Sequence, residues 1–218
     1  MTNLTDADLE SIRQAVASAE GVTSGEIVPF VAARSSDYRL ARWKGAALMG
    51  LVAMAAFLGF AEWNSAWSVS WTQEPWALAG TVLAAMILGW LLATFVPSVL
   101  RLLAGERALA GAVHHRALRA FVDEEVFDTR DRTGILLFVS LMERRIEVMG
   151  DAGINARVSA EDWVDVIQVV RQGILDGRLA QGLVAGIGKC GELLRVKGVE
   201  ILPDDENELP DGLRVDRG

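Results

Sequence analysis

Two uncharged apolar runs lie close together in this 218-residue chain and constrain its architecture more than any other feature. Gly45 to Ala61 reads GAALMGLVAMAAFLGFA, and Trp76 to Val96 reads WALAGTVLAAMILGWLLATFV. As a helix at ~1.5 Å per residue, the first run spans ~25 Å, slightly short of a ~30 Å hydrocarbon core. Its flanks cover the deficit, because Lys44 can snorkel and Trp43 and Trp63 suit the interface. The second run is long enough unaided. A pair of buried core helices is the competing arrangement, but two such runs are unusual in a soluble chain of this size. The expected architecture is therefore a transmembrane hairpin over 41–100, with helices at about 45–61 and 76–96. Trp63, Trp67, Trp71 and Trp76 would form an interfacial aromatic belt around its loop.

Charge sets the expected orientation. Arg34, Arg39, Arg42 and Lys44 precede the first run, and Arg101, Arg107, Arg116 and Arg119 follow the second. Arg42, Lys44 and Arg101 flank the helices most closely, whereas the segment 62–75 has no Lys or Arg. The positive-inside rule puts both flanks and both termini in the cytoplasm, as in a multi-pass protein of the inner (plasma) membrane. The start, Met1 to Glu20, has neither the basic nor the apolar region of a signal peptide, so insertion is expected from the internal runs.

Composition fits a chain of two kinds. Hydrophobic residues reach 51%, yet charged residues still make up 23%. The formal charge of −8 argues against nucleic-acid binding, which needs a basic face to release phosphate counterions. A lone cysteine, Cys190, rules out an internal disulfide and a Cys-based metal cluster.

The rest of the chain reads as one α/β domain in two pieces, 1–40 and 101–202, with an acidic tail over 203–218. Thr5 and Asp8 have capping-box spacing, and Leu9, Ile12, Val16 and Ala19 recur on one helical face. Glu26 to Ala33 reads as a strand, and Pro29 within it suggests an edge position or a bulge. A single helix and strand cannot bury a core, so this piece must pack against residues beyond the hairpin.

Helix is expected to continue from the second run to about Phe127, with Leu109, Val113, Leu118, Phe121 and Val122 as an imperfect stripe. GILLFVS, Gly134 to Ser140, suits a central strand, and RIEVM, Arg145 to Met149, returns as its hairpin partner. Ser159 and Asp162 cap a helix whose buried face carries Trp163, Val166, Ile167, Val170 and Ile174. A last helix, about Arg178 to Leu194, aligns Leu179, Leu183, Ile187, Cys190 and Leu194. Its Gly182 and Gly186 permit close backbone approach, expected toward the sheet. PDDENELP, Pro203 to Pro210, carries little apolar surface, so the tail reads as loosely docked or disordered.

Four stretches together resemble the TPM-domain family. They are Ala19–Tyr38 with its TSGEIVPFVAARSSDY, RTGILLFVSLMERRIEVMGDAGIN from Arg132 to Asn155, the helix pair with Trp163 and Gly182 to Gly186, and NELPD from Asn207 to Asp211. The match is most similar to bacterial members with a transmembrane hairpin inserted after the first strand. The resemblance implies an α/β/α sandwich. Some members are similar to acid phosphatases or bind calcium or other divalent ions; others have no established activity.

Several residues are candidates for chemistry. Asp37 follows the first strand, Asp128 and Asp131 precede the second, Glu143 lies in the hairpin turn and Asp151 follows the third strand. Carboxylates in strand-end loops can cluster around a hard cation such as Ca2+ or Mg2+, which can polarise a phosphoryl group. The same residues also suit ordinary turns and caps. Arg144 and Arg145 would face opposite sides of a strand, where one can hold an anion or both can pair with Glu26, Glu143 or Glu147. Ser36 and Tyr38 can donate to a ligand or simply end the strand. His114 and His115 diverge by roughly 100° on a helix, which suits a solvated role better than a metal pair. No EF-hand loop, Walker loop, GxGxxG strand turn or Ser-His-Asp arrangement is present.

Two functions follow as expectations. In the first, a membrane-tethered, non-catalytic module binds another membrane protein or assists a membrane complex, with a homo-oligomer also compatible. In the second, the domain is a divalent-metal-dependent, acid-phosphatase-like enzyme.

Overall fold

The computed structural model describes residues 4–63, 74–200 and 207–216. Its centre is a mixed four-stranded sheet in the order β3-β2-β1-β4. Strand β1 is Glu26–Ala32, β2 is Gly134–Ser140, β3 is Arg145–Gly150 and β4 is Arg214–Asp216. β1 runs parallel to β2 over its whole length, from Glu26 opposite Gly134 to Ala32 opposite Ser140. β2 and β3 form the expected antiparallel hairpin. Every residue of β1 and β2 is buried, which explains their unbroken apolar sequence. A strand covered on both faces has no reason to alternate.

Both faces are covered by helices. Helix α1, Asp6–Glu20, is closed at its start by the reciprocal Thr5–Asp8 capping box. It joins α7, Val164–Leu175, and α8, Leu179–Val196, over Ile27, Val31, Ile135, Leu137 and Val139. The other face, with Val28, Phe30, Leu136 and Phe138, lies under α5, Glu106–Asp123. Ser159 caps a 3-10 turn, Ala160–Trp163, ahead of α7 rather than α7 itself. All five aligned residues of α8 are buried, from Leu179 to Leu194.

Pro29 is not on an edge. β1 lies between β2 and β4. The N–H of Glu26 faces β2 (to Thr133 O) and that of Ala33 faces β4 (to Asp216 O). Strand alternation then turns the nitrogen of Pro29 toward β4. β4 begins opposite Phe30, so no ladder hydrogen bond is lost.

Four further expectations are corrected. The tail read as loosely docked supplies β4, parallel to β1. The continuous helix to Phe127 is three helices: α3, Pro75–Phe95; α4, Pro97–Ala104; and α5. Pro97 at the start of α4 breaks the first junction, and Gly105 at φ +80° breaks the second. On α5, Leu118 and Val122 face outward, while Val113, Ala117 and Ala120 are buried. The contact face is built from small side chains against Phe30 and Phe138, which a search for large apolar residues overlooks. Finally, Gly182 and Gly186 approach α7, not the sheet. A Cβ on Gly182 would lie 2.9 Å from Gly173 Cα, and one on Gly186 2.2 Å from a Val170 methyl.

The chain divides into two units, Met1–Ser36 with Ala110–Gly218, and Asp37–Leu109. The first is the sheet domain. The second contains α2, Arg39–Trp63, with α3 and α4. Helices α2 and α3 are long and apolar enough to cross a membrane, and only 22% and 11% of their most apolar windows are buried. Leu48, Leu51, Val52, Leu58, Leu83, Ile87 and Leu88 are exposed along them. The helices are antiparallel and touch through glycines: a Cβ on Gly89 would meet Gly45 O at 2.4 Å, and one on Gly50 would meet Met86 at 2.7 Å. Gly59 and Gly80 face open space. Trp67 and Trp71 of the expected aromatic belt lie outside the described residues; Trp63 and Trp76 are exposed.

Candidate functional site

Helix α5 ties the sheet together at its polar margin. Its His114 Nδ1 lies 2.5 Å from Glu147 Oε1 on β3. Two residues on, Arg116 ion-pairs with Asp216 on β4, its guanidinium 5.5 Å from the centroid of the Phe30 ring. Arg214 Nε, also on β4, lies 3.2 Å from Glu124 Oε2 just beyond α5. The helix thus reaches both edge strands.

Between α5 and the carboxyl end of β1 runs a groove of about 480 Å3, lined by Ser35, Ser36, Ala112, His115, Arg116 and Arg119. Crevices at the carboxyl ends of parallel strands are where open α/β sheets bind ligands. The strand end itself is internally satisfied. Glu143 Oε1 accepts the Ser35 N–H at 2.8 Å, and its Oε2 accepts from the Ser140 hydroxyl. The Ser35 and Ser140 hydroxyls are 2.7 Å apart. His115, Arg119 and Ser36 are exposed. The side chains of Arg119 and Ser36 make no hydrogen bond or ion pair to any described residue. The sequence marks Arg116 and Arg119 only as expected membrane flanks; their three-residue spacing, which puts both on one helical face, is the signal it offers for this groove.

The four candidate metal ligands of the sheet unit do not converge. Register places Ser140 opposite Arg145 and Ile135 opposite Gly150, so Glu143 and Asp151 lie at opposite ends of the hairpin, ~17 Å apart along the strands. Asp151 accepts the Ala152 N–H at 2.7 Å as a helix cap and pairs with Arg132 at 2.7 Å. Asp131 lies 3.7 Å from Arg130, and Asp128 lies beyond α5 on the chain's approach to β2. Asp37 is the first residue of the other unit. Among the described residues no group of three or more His, Cys, Asp or Glu side chains could hold a metal.

Arg144 and Arg145 do not alternate along a strand. Arg144 sits in the turn at φ +54°, and Arg145 opens β3 opposite Ser140. Glu147, a candidate partner for either, is taken by His114. Of the residues expected to flank membrane helices, Arg42 lies in α2, Arg101 lies in the last turn of α4, and Lys44 Nζ donates to Leu103 O at 3.4 Å.

A second polar cluster docks the end of the chain. Glu208 receives the Arg130 N–H at 3.0 Å and donates its own N–H to Glu26 Oε1 at 3.3 Å. Glu20 Oε1 accepts the Ile27 N–H at 2.8 Å, while its Oε2 is buried without a hydrogen-bond partner among the described residues. Burial first, and then the nearby Glu26 and Asp211, push the Glu20 carboxyl up to about 8. Burial also lifts the Cys190 thiol to about 12. This thiol stays protonated and acts as a small core residue.

A mixed α/β sheet with helices on both faces and a polar groove at its parallel strand ends defines the class of this domain. No family model and no curated protein matches the chain. Among solved structures it is similar to the BA42 protein of the psychrophilic bacterium Bizionia argentinensis sp. nov., determined by NMR, at 20% identity and a TM-score of 0.59 over 98% of this chain and 95% of that one. Likeness at this identity shows the fold alone.

Proposed function

We propose that the chain is a multi-pass membrane protein whose α/β domain faces the cytoplasm and serves as a non-catalytic module that binds a protein partner in the membrane. The exposure of α2 and α3 carries this reading. A core helix of a soluble protein hides most of its apolar surface, whereas only 22% and 11% of the most apolar windows of these two are buried. Bilayer is the solvent in which that surface is stable. The basic flanks and the loop without Lys or Arg support the sidedness. The groove on α5 supplies the binding surface.

The protein should stay with the membrane pellet through alkaline carbonate extraction. Release into the supernatant would contradict the proposal. The metal-dependent phosphatase reading gains no support from carboxylates spread over both ends of a hairpin. A rise in Tm on adding Ca2+ or Mg2+, lost on replacing Asp151 or Glu143, would restore it through ligand linkage.

A further inference from the structure

The groove on α5 allows its ligand to be narrowed, on the basis of the partner-binding function above. We propose that it receives an acidic peptide segment of the partner, held by carboxylate contacts to Arg119, His115 and Ser36.

Shape is the first reason. Ala112, His115, Arg116 and Arg119 are spaced i, i+3, i+4 and i+7, one helical face extending ~10 Å. The lining is a track, not a point.

The second reason is which donors remain. A small oxyanion such as phosphate is held where backbone N–H groups and hydroxyls converge. Here the Ser35 N–H is already bonded to Glu143 Oε1 at 2.8 Å, and the Ser35 hydroxyl to that of Ser140 at 2.7 Å. Glu143 is buried, 4% exposed, so it also sets a carboxylate beneath the strand end. The donors left open stand along the helix.

The third reason is a precedent inside the fold. Arg116 already holds the carboxylate of Asp216, delivered by an extended strand beside β1. Arg119, one turn further along the same face, offers the same guanidinium with no ion pair to a described residue. The formal charge of −8 sharpens the selection: an acidic segment is repelled by the net charge of the chain and drawn to the guanidinium of Arg119.

The test uses the full chain in detergent micelles and fluorescence anisotropy of a labelled Glu-rich peptide. A Gln-rich counterpart serves as control and inorganic phosphate, at matched ionic strength, as competitor. The Glu-rich peptide should bind, the Gln-rich one should not, and phosphate should not displace it. Arg119→Glu should weaken binding about tenfold or more with Tm unchanged, since the residue is exposed. Equal binding of the two peptides, an unaffected Arg119→Glu variant, or displacement by phosphate would overturn the inference. Carbonate extraction separates the two claims. A chain that stays in the membrane but ignores the Glu-rich peptide loses only this inference; a chain that carbonate releases loses the proposed function whatever the peptide does.

Discussion

Glu20 closes α1 with one oxygen bonded to Ile27 and the other buried and unpartnered. Its folded value of about 8 stands above the ordinary 4.5, so the native state holds a proton that the unfolded chain releases in between. The associated stability is full below about pH 4.5 and is lost as pH rises through about 8. Glu20→Gln keeps the carbonyl that receives the Ile27 N–H and removes the titration. Its Tm should therefore fall less than that of the natural chain across that window, and should be the higher of the two above it. Parallel Tm-versus-pH curves would show that Glu20 does not titrate in this way. None of this was legible in the sequence, where Glu20 was one polar residue before a turn. What raises it is desolvation, with Glu26, near in space, and Asp211, from the far end of the chain, adding to it.

Elements built on one strong period were legible, and those built on small or few residues were not. The five aligned residues of α8 are all buried, and both capping boxes form. The contact face of α5 was legible only in part, at Leu109 and Val113, because alanines make the rest of it, and β4 escaped because its three residues bury little and are held by Arg116, Glu124 and the edge of β1. Within α8, the glycines carry different demands. Gly182 packs on the backbone of Gly173, and a Cβ there would lie 2.9 Å from its Cα and 3.1 Å from Val170 O. Gly182→Ala should destabilise by about 1–3 kcal/mol. Gly188 meets nothing within 4 Å, so Gly188→Ala should stabilise by about 0.5–1 kcal/mol through helix propensity. Chemical denaturation of the two variants measures both; equal effects would mean that the α7–α8 crossing is looser than its geometry.

At the scale of the molecule, the hairpin interrupts a domain that needs both of its pieces. β1 comes from before the interruption, and its partners β2 and β4 come from after it. That requirement could be read from the sequence, since a helix and a strand alone have no core to close. The groove could not, because its members Ser36 and Arg119 stand on opposite sides of the interruption and only the folded sheet brings them together. The split also binds topology to folding: if α2 and α3 cross a membrane and the sheet forms, residues before and after them must share one side of it.

Site-specific labelling in sealed vesicles tests that claim most directly. Single cysteines would replace exposed Ser18 on α1, exposed Gln172 on α7 and Ser65, in the sequence between α2 and α3, and Cys190, being buried, adds little background. A membrane-impermeant maleimide should label Ser18→Cys and Gln172→Cys from the same side and Ser65→Cys from the other. Labelling of Ser18→Cys and Gln172→Cys from opposite sides, or of all three from one side, would contradict the account.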